Sequence, residues 1–172
     1  MASYPTLKEK LPNVRRVQIS SRRPEKTWQS LRSVIPRDRL LPPMPLDITN
    51  KKTIPPAFEN ADVVVSLVGI MHGSTKDFED IQWKGAENVA QCAKDAGARL
   101  IHFSAIGADP NSQIPYVRTK GLAEQSIAAV DPTAMIIRPS LIFGPEDNFF
   151  NVRIRFNSGL IALTAAEICS FN

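Results

Sequence analysis

Ser104, at the end of an apolar run, is followed twelve residues later by Tyr116-Val-Arg-Thr-Lys120. Tyr116 and Lys120 are four apart, so on a helix they stand one turn from each other on one face. A free tyrosine titrates near ~10 and is a poor proton donor to a carbonyl at neutral pH. A neighbouring ammonium favours the phenolate and brings that value toward the working range. The serine hydroxyl can hold a substrate oxygen while a nicotinamide gives or takes a hydride. Ser104, Tyr116 and Lys120 are therefore candidate catalytic residues for nucleotide-dependent redox chemistry. The bare pattern is cheap, because Tyr4 is also followed at the fourth position by Lys8, with Pro5 between them and no strand before. Context has to separate the two copies.

For Tyr116 that context is a series of positioning elements. Asp62-Val-Val-Val-Ser-Leu-Val-Gly69 is a continuous apolar run ending in glycine and reads as a buried parallel strand. Ser74 with Asp77 makes a capping-box pattern that predicts a long helix. Trp83, Ala86, Val89, Ala90, Ala93 and Ala96 recur at helical steps, and Gly97 suits its C-terminus. Arg99 to Ser104 reads as a strand and Tyr116 to Val130 as a helix stopped by Asp131-Pro132. Ala134 to Arg138 reads as a last buried strand. This alternation argues for an α/β fold of right-handed βαβ units, a doubly wound parallel sheet with helices on both faces. Ligands in such a sheet bind beyond the carboxyl ends of the strands, where Ser104 falls.

The front of the chain is less regular. Leu7 to Leu11 reads as a helix end stopped by Pro12-Asn13, Val14 to Ile19 as a short strand, and Thr27 to Val34 as a short helix. Another strand is expected over Leu40 to Asp47, but Pro42, Pro43 and Pro45 each remove a ladder donor. That restricts it to an edge strand or a loop.

Composition narrows the function. With 43% hydrophobic and 22% charged residues in 172, the chain has the balance of a globular domain rather than a disordered one. No apolar run of ~18 residues is present, so no membrane span is expected. Cys92 and Cys169 form no framework or CxxC pair, and His72 and His102 lack ligand spacing, so neither disulfides nor a metal are expected. Residues 1–40 carry ten Lys or Arg against three acids, and the remainder eleven against fourteen. A solvated basic face, a phosphate-binding edge and a targeting segment all fit that bias. Pro12 and Pro24 weigh against the third. Nucleic acid is not expected, because no aromatics interleave the cations and no binding module is recognisable.

Four segments carry a family resemblance: Ala61-Asp-Val-Val-Val-Ser-Leu-Val-Gly-Ile70, Gly97-Ala-Arg-Leu-Ile-His-Phe-Ser-Ala-Ile-Gly-Ala108, Tyr116 to Lys120, and Ile137-Arg-Pro-Ser-Leu-Ile-Phe-Gly-Pro-Glu-Asp-Asn-Phe-Phe150. Over roughly residues 14–151 the chain resembles the atypical short-chain dehydrogenases, and among them the branch holding the NAD(P)H-binding accessory subunit of mitochondrial complex I and its bacterial relatives. The resemblance implies a Rossmann sheet, a mitochondrial location, complex I or other mitochondrial proteins as partners, and a dinucleotide that serves structure more than turnover. It places Ser21, Arg22 and Arg23 at the end of the second Rossmann strand. An acid there suits the ribose hydroxyls of NAD, whereas arginine pairs with a 2′-phosphate, so NADP(H) is favoured over NAD(H). Two exposed surface arginines remain the plain alternative. The resemblance also places Asp47 and Ile48 near the adenine and Leu67, Val68 and Gly69 beside the adenosine ribose, with Lys120, Pro139 and Ser140 as further cofactor contacts. An ordinary strand-end turn also accounts for Gly69.

The chain departs from that family at its front. The family opens with a strand and a Gly-x-x-Gly-x-x-Gly turn at the pyrophosphate, whereas the first glycine here is Gly69. The expected fold is therefore an incomplete Rossmann-like sheet lacking its first strand and glycine-rich loop. In the order 3-2-1-4-5-6 that strand is central, so the strand at 14–19 must either pair directly with 62–68 or be poorly held. Residues 1–151 are expected to form the partial cofactor domain and 152–172 the truncated start of a C-terminal region, in which Gly159 to Ala166 suits one small apolar helix. A fragment, a splice form or a misassembled gene would produce such a chain. Three functions follow: a cofactor-binding accessory protein with weak binding and little turnover, an active oxidoreductase or epimerase using Ser104, Tyr116 and Lys120, or a cofactor-free remnant acting by protein contacts.

Overall fold

The structure, a computed structural model, describes residues 16–142. The helix end at Leu7–Leu11, the boundary at 151/152 and the apolar segment after Gly159 lie outside them. The described residues form two parallel sheets. In the first, β1 (Ser20–Ser21) pairs with β2 (Met44–Pro45), Ser20 opposite Met44. A single bridge between Val17 and Leu40 extends the pairing. The second has the order β3–β4–β5, with β3 at Val63–Ser66, β4 at Arg99–Phe103 and β5 at Met135–Ile137. The prolines of 40–47 thus leave a two-residue edge strand, as the missing donors require. β1 takes β2 as its partner, so the direct pairing of the front strand with 62–68 does not form among the described residues.

Helices connect the strands. α1 (Glu25–Leu31) follows β1 and buries none of its residues; the Trp28 indole donates to Leu41 O at 2.7 Å and holds it to the sheet. A short α2 (Pro55–Phe58) precedes β3. The predicted long helix runs from α3 (Thr75–Asp77) through a π-helical segment (Phe78–Lys84) into α4 (Gly85–Asp95). Its start is the reciprocal capping box of Ser74 and Asp77, in which each side chain accepts from the other residue's backbone N–H. Gly97 ends it in the left-handed region at φ 71°, a conformation that costs glycine nothing. α5 (Pro115–Val130) begins one residue before Tyr116, with proline in the first turn where a missing N–H is harmless.

Both sheets share one core. Leu46 and Ile48, just after β2, pack in a cluster with Val64, Ala86, Val89, Ala90 and Leu100, and Ile54 and Ile127 are wholly buried within it. Gln18 Nε2 donates to Ala57 O at 3.1 Å and Asn88 Nδ2 to Ile48 O at 2.9 Å, adding two polar ties across the seam. Among the described residues the β3–β5 sheet is covered on one face only. Val64, Ser66, Leu100 and His102 turn inward, whereas Val63, Val65 and Met135 on the opposite face are 39%, 52% and 57% exposed. The apolar runs at 62–69 and 134–138 read as fully buried strands; alternate residues of both are in fact open, because no described helix packs on that side.

Candidate functional site

Between the carboxyl end of β1 and that of β3 lies a cavity of about 900 Å³. Ser21 and Arg22 from one sheet line it, with Asp47 and Ile48 after β2, Val68 and Gly69 after β3, and Asp77, Asp80, Ile81 and Lys84 on the long helix. Six residues that the sequence resemblance placed around an adenosine share this lining. Arg23 and Leu67 are exposed and outside it, and beyond β5 half-buried Pro139 and exposed Ser140 are outside it as well. Asp47 accepts from Thr49 N and Thr49 Oγ1 at 2.9 and 2.8 Å; these bonds, with the Arg22 guanidinium nearby, hold its carboxyl below the usual range.

Behind Gly69 lies the lysine. Lys120 is 5% exposed and its ammonium donates to Phe103 O at 2.9 Å. Burial pushes its pKa down and Glu124, one turn further along α5, opposes that shift. A Cβ added to Gly69 would sit 3.2 Å from Gln82 Oε1 and 3.4 Å from Lys120 Nζ. Glycine at this strand end therefore admits the lysine and glutamine heads against its backbone.

Gln82 is the residue that sequence reasoning missed. It is 1% exposed, accepts from Ile70 N at 3.2 Å and donates to Thr119 Oγ1 at 3.0 Å. Thr119 Oγ1 in turn donates a hydrogen bond to Pro115 O at 2.8 Å. One buried amide thus ties the loop after β3 to the turn of α5 that carries Tyr116 and Lys120. It sits in the π-helical segment, where the Gly85 N–H reaches back to Asp80 O, and nothing in the sequence marks that insertion.

Ser104 occupies a different layer. It is 5% exposed under α5 on the same strand face as His102, and its hydroxyl has no hydrogen-bond partner. It still lies near enough to Glu124 to act on that carboxyl. Burial works to raise the Glu124 pKa, but the Arg138 guanidinium (2.9 Å from Nε to Oε1) and the Ser104 hydroxyl outweigh it. His102 Nδ1 lies 3.3 Å from Ser66 Oγ, while its Nε2 is buried without a partner. Burial and then the Lys120 charge push His102 down to about 4, so it is neutral at physiological pH. Glu124 was legible as the next member of the Tyr116, Lys120 series. The Tyr116 ring stands edge-on to Phe78 at 6.4 Å and is half-buried at the mouth of this layer.

The cavity lining is unevenly charged. Arg22 lies close enough to Asp47 to help lower its pKa. Asp77, Asp80 and Glu87 line the remainder, with Lys84 as the only other cation in the lining and already paired to Asp80 at 3.1 Å. A pyrophosphate meets net negative charge there.

Parallel sheets of order β1–β2 and β3–β4–β5, with a cavity at their carboxyl ends, define a Rossmann-like α/β fold. A solved dTDP-4-dehydrorhamnose reductase from Bacillus anthracis, in complex with NADP, superposes with a TM-score of 0.62 at 18% identity, covering 82% of this chain and 59% of that one. No family model matches the chain. It is similar to curated proteins, however. Subunit 9 of the mitochondrial NADH dehydrogenase (ubiquinone) 1 alpha subcomplex of Mus musculus is 38% identical over 107 residues, 61% of this chain and 28% of the relative. The mitochondrial 40 kDa subunit of NADH-ubiquinone oxidoreductase of Neurospora crassa is 36% identical over the same length, and a ceramide reductase of Caulobacter vibrioides 31% over 102 residues. The resemblance to atypical short-chain dehydrogenases of the complex I accessory branch holds, and the chain spans under a third of the length of these curated relatives.

Proposed function

We propose that the protein is an NAD(P)(H)-binding, short-chain dehydrogenase-like protein of the mitochondrial complex I accessory type, with little turnover. The observation that supports it is the single cavity on which Ser21, Arg22, Asp47, Ile48, Val68 and Gly69 converge. In this reading Arg22 selects NADP(H) through the 2′-phosphate, Ile48 flanks the adenine and Gly69 lets the backbone approach the ribose. When bound, the nicotinamide supplies the hydride chemistry. This chain's share would be to hold the adenosine end in the cavity, with the Lys120 ammonium held behind Gly69 by Phe103 O. The acidic lining from Asp77, Asp80 and Glu87 opposes the pyrophosphate, so binding is weak. Complex I or another mitochondrial assembly is the partner, a reading that rests on the names of the relatives.

NADPH fluorescence titrated against the purified chain tests this. Binding far weaker than micromolar is expected, weakened further by Arg22→Ala with NADH unaffected. A micromolar dissociation constant removes the claim of impairment, and equal affinity for NADH removes the role of Arg22. Buried Lys120 beside Tyr116 supports a second reading, an active oxidoreductase or epimerase using Ser104, Tyr116 and Lys120. Tyr116→Phe separates the two: retained binding with lost turnover indicates an enzyme.

A further inference from the structure

Between residues 16 and 39 the chain carries seven cations, Arg16, Arg22, Arg23, Lys26, Arg32, Arg37 and Arg39, against two acids, Glu25 and Asp38. All but Arg39 are exposed. The four ion pairs found among the described residues all lie between Lys76 and Arg138, and none involves the six exposed cations. Arg32 lies over the Trp28 ring at 4.9 Å, and Arg22 faces Asp47 across the cavity mouth. Leaving six exposed cations without ion pairs in so short a stretch concentrates positive potential on the outer helix and its flanking loops.

We propose that this face, α1 with the loop through Arg37, rests on an anionic lipid bilayer. Charge complementarity gives the attraction, and the composition of the face selects the occupant. A protein interface needs an apolar centre with its charges at the rim. Here the only large hydrophobic residue among 16–40 that is strongly exposed is Val34, at 54%. Trp28 and Leu31 turn toward the sheet, so Lys26, Arg32 and Arg37 have no apolar anchor between them. Diffuse cations around one aliphatic tip suit a fluid field of headgroups, which demands no register. The attraction should fade with salt as the screening length shrinks.

The test is co-sedimentation of the full chain with phosphatidylcholine vesicles, with and without phosphatidylserine, at low and high salt. Binding is expected only to vesicles containing phosphatidylserine and is lost at high salt. Each neutralised cation should weaken it about fivefold, so Lys26→Gln/Arg32→Gln/Arg37→Gln should reduce partitioning by roughly a hundredfold. The charge-reversed Lys26→Glu/Arg32→Glu/Arg37→Glu should abolish it, with the neutral triple deciding if the reversed one does not fold. Lys51→Gln/Lys52→Gln, which removes two exposed cations elsewhere, should leave binding nearly unchanged. Arg22 and Arg23 stay intact, so the outcome is independent of the cofactor reading. Equal binding to neutral vesicles, indifference to the triple substitution, or binding to polyglutamate but not to phosphatidylserine would each overturn the proposal, the last assigning the face to an acidic protein.

Discussion

The two sheets differ in how they are held. β1 and β2 are two residues each, α1 buries nothing, and the six exposed cations around them make no ion pair among the described residues. β3, β4 and β5 are four, five and three residues long; α4 packs on β3 and β4, α5 packs on α4 and the π-helical segment, and Lys120, Gln82, Thr119, His102 and Ser104 are buried among these elements. Ile35 and Leu40 are buried in the front yet stand outside the shared core, which the front reaches through Leu46 and Ile48. The difference marks the front as the rear's satellite in local stability, and the groups fit for chemistry accumulate in the more deeply buried rear. The arrangement can be broken from either side.

The hardest blow falls on the rear. A Cβ on Gly121 would stand 2.3 Å from Pro110 N and 2.6 Å from Asp109 C, backbone atoms that cannot swing aside. Gly121→Val therefore lifts α5 from the loop it packs on. Overpacking typically costs ~1–3 kcal/mol, and a backbone clash belongs at or above the top of that range. Urea denaturation should show both halves melting together at a much lower midpoint. A front that survives alone would reverse the roles assigned here.

Acid comes next. The folded pKa of His102 is about 4, against 6.5 for an ordinary histidine, so the unfolded chain takes up its proton first as pH falls. Its contribution is present in full above about 6.5 and is lost progressively down to about 4, where both states are protonated. The difference amounts to about 3 kcal/mol at most. The carboxylates with lowered values, Asp47, Asp77, Asp80, Asp131 and Glu124, act only below their ordinary 3.8 to 4.5, so the upper window belongs to the histidine. His102→Gln should flatten the stability profile between pH 6.5 and 4.5; an unchanged slope removes the assignment. Smaller again is Gln82→Ala, which strands Ile70 N and one bond of Thr119, at ~1–3 kcal/mol. It should also raise the dissociation constant of any bound NADPH by shifting Gly69 relative to Lys120. Loss of stability with unchanged affinity would make Gln82 structural only.

Much of the rear was legible. Apolar runs, the Ser74–Asp77 capping box and the stop at Asp131-Pro132 gave the strands and helices to within a few residues, because each end has a local cause. Burial on both sheet faces was misread at Val63 and Val65, since a sequence shows that a strand can be covered, not what covers it. The π-helical turn escaped too: an extra residue in a helix leaves no composition mark, and with it Gln82 was hidden. Ser104 was found by its position at a strand end, but which face its hydroxyl takes follows from strand parity with His102 and needed the fold. At the front, the three prolines correctly forbade a long β2, whereas the described part of the Val14 to Ile19 strand, residues 16–19, shows a single bridge at Val17, and pairing as a strand begins only at Ser20.

The mildest test probes the docking itself. Gln18 Nε2 donates to Ala57 O at 3.1 Å and lies 3.3 Å from Ser20 Oγ, so it ties the approach to β1 to α2 beneath the shared core. Gln18→Ala removes a partly buried bond whose net worth is about 1 kcal/mol. If the front is a satellite, that loss should appear as local opening. Hydrogen exchange should speed up at Val17, Leu41, Met44 and Leu46, whose amides bond across the β1–β2 pairing. The amides of β3 to β5 should keep their rates, because local openings leave independent units untouched. Uniform acceleration across both sheets would mean that the halves open as one, and the shared core of Leu46 and Ile48 would then be an integral part of the rear rather than a dock.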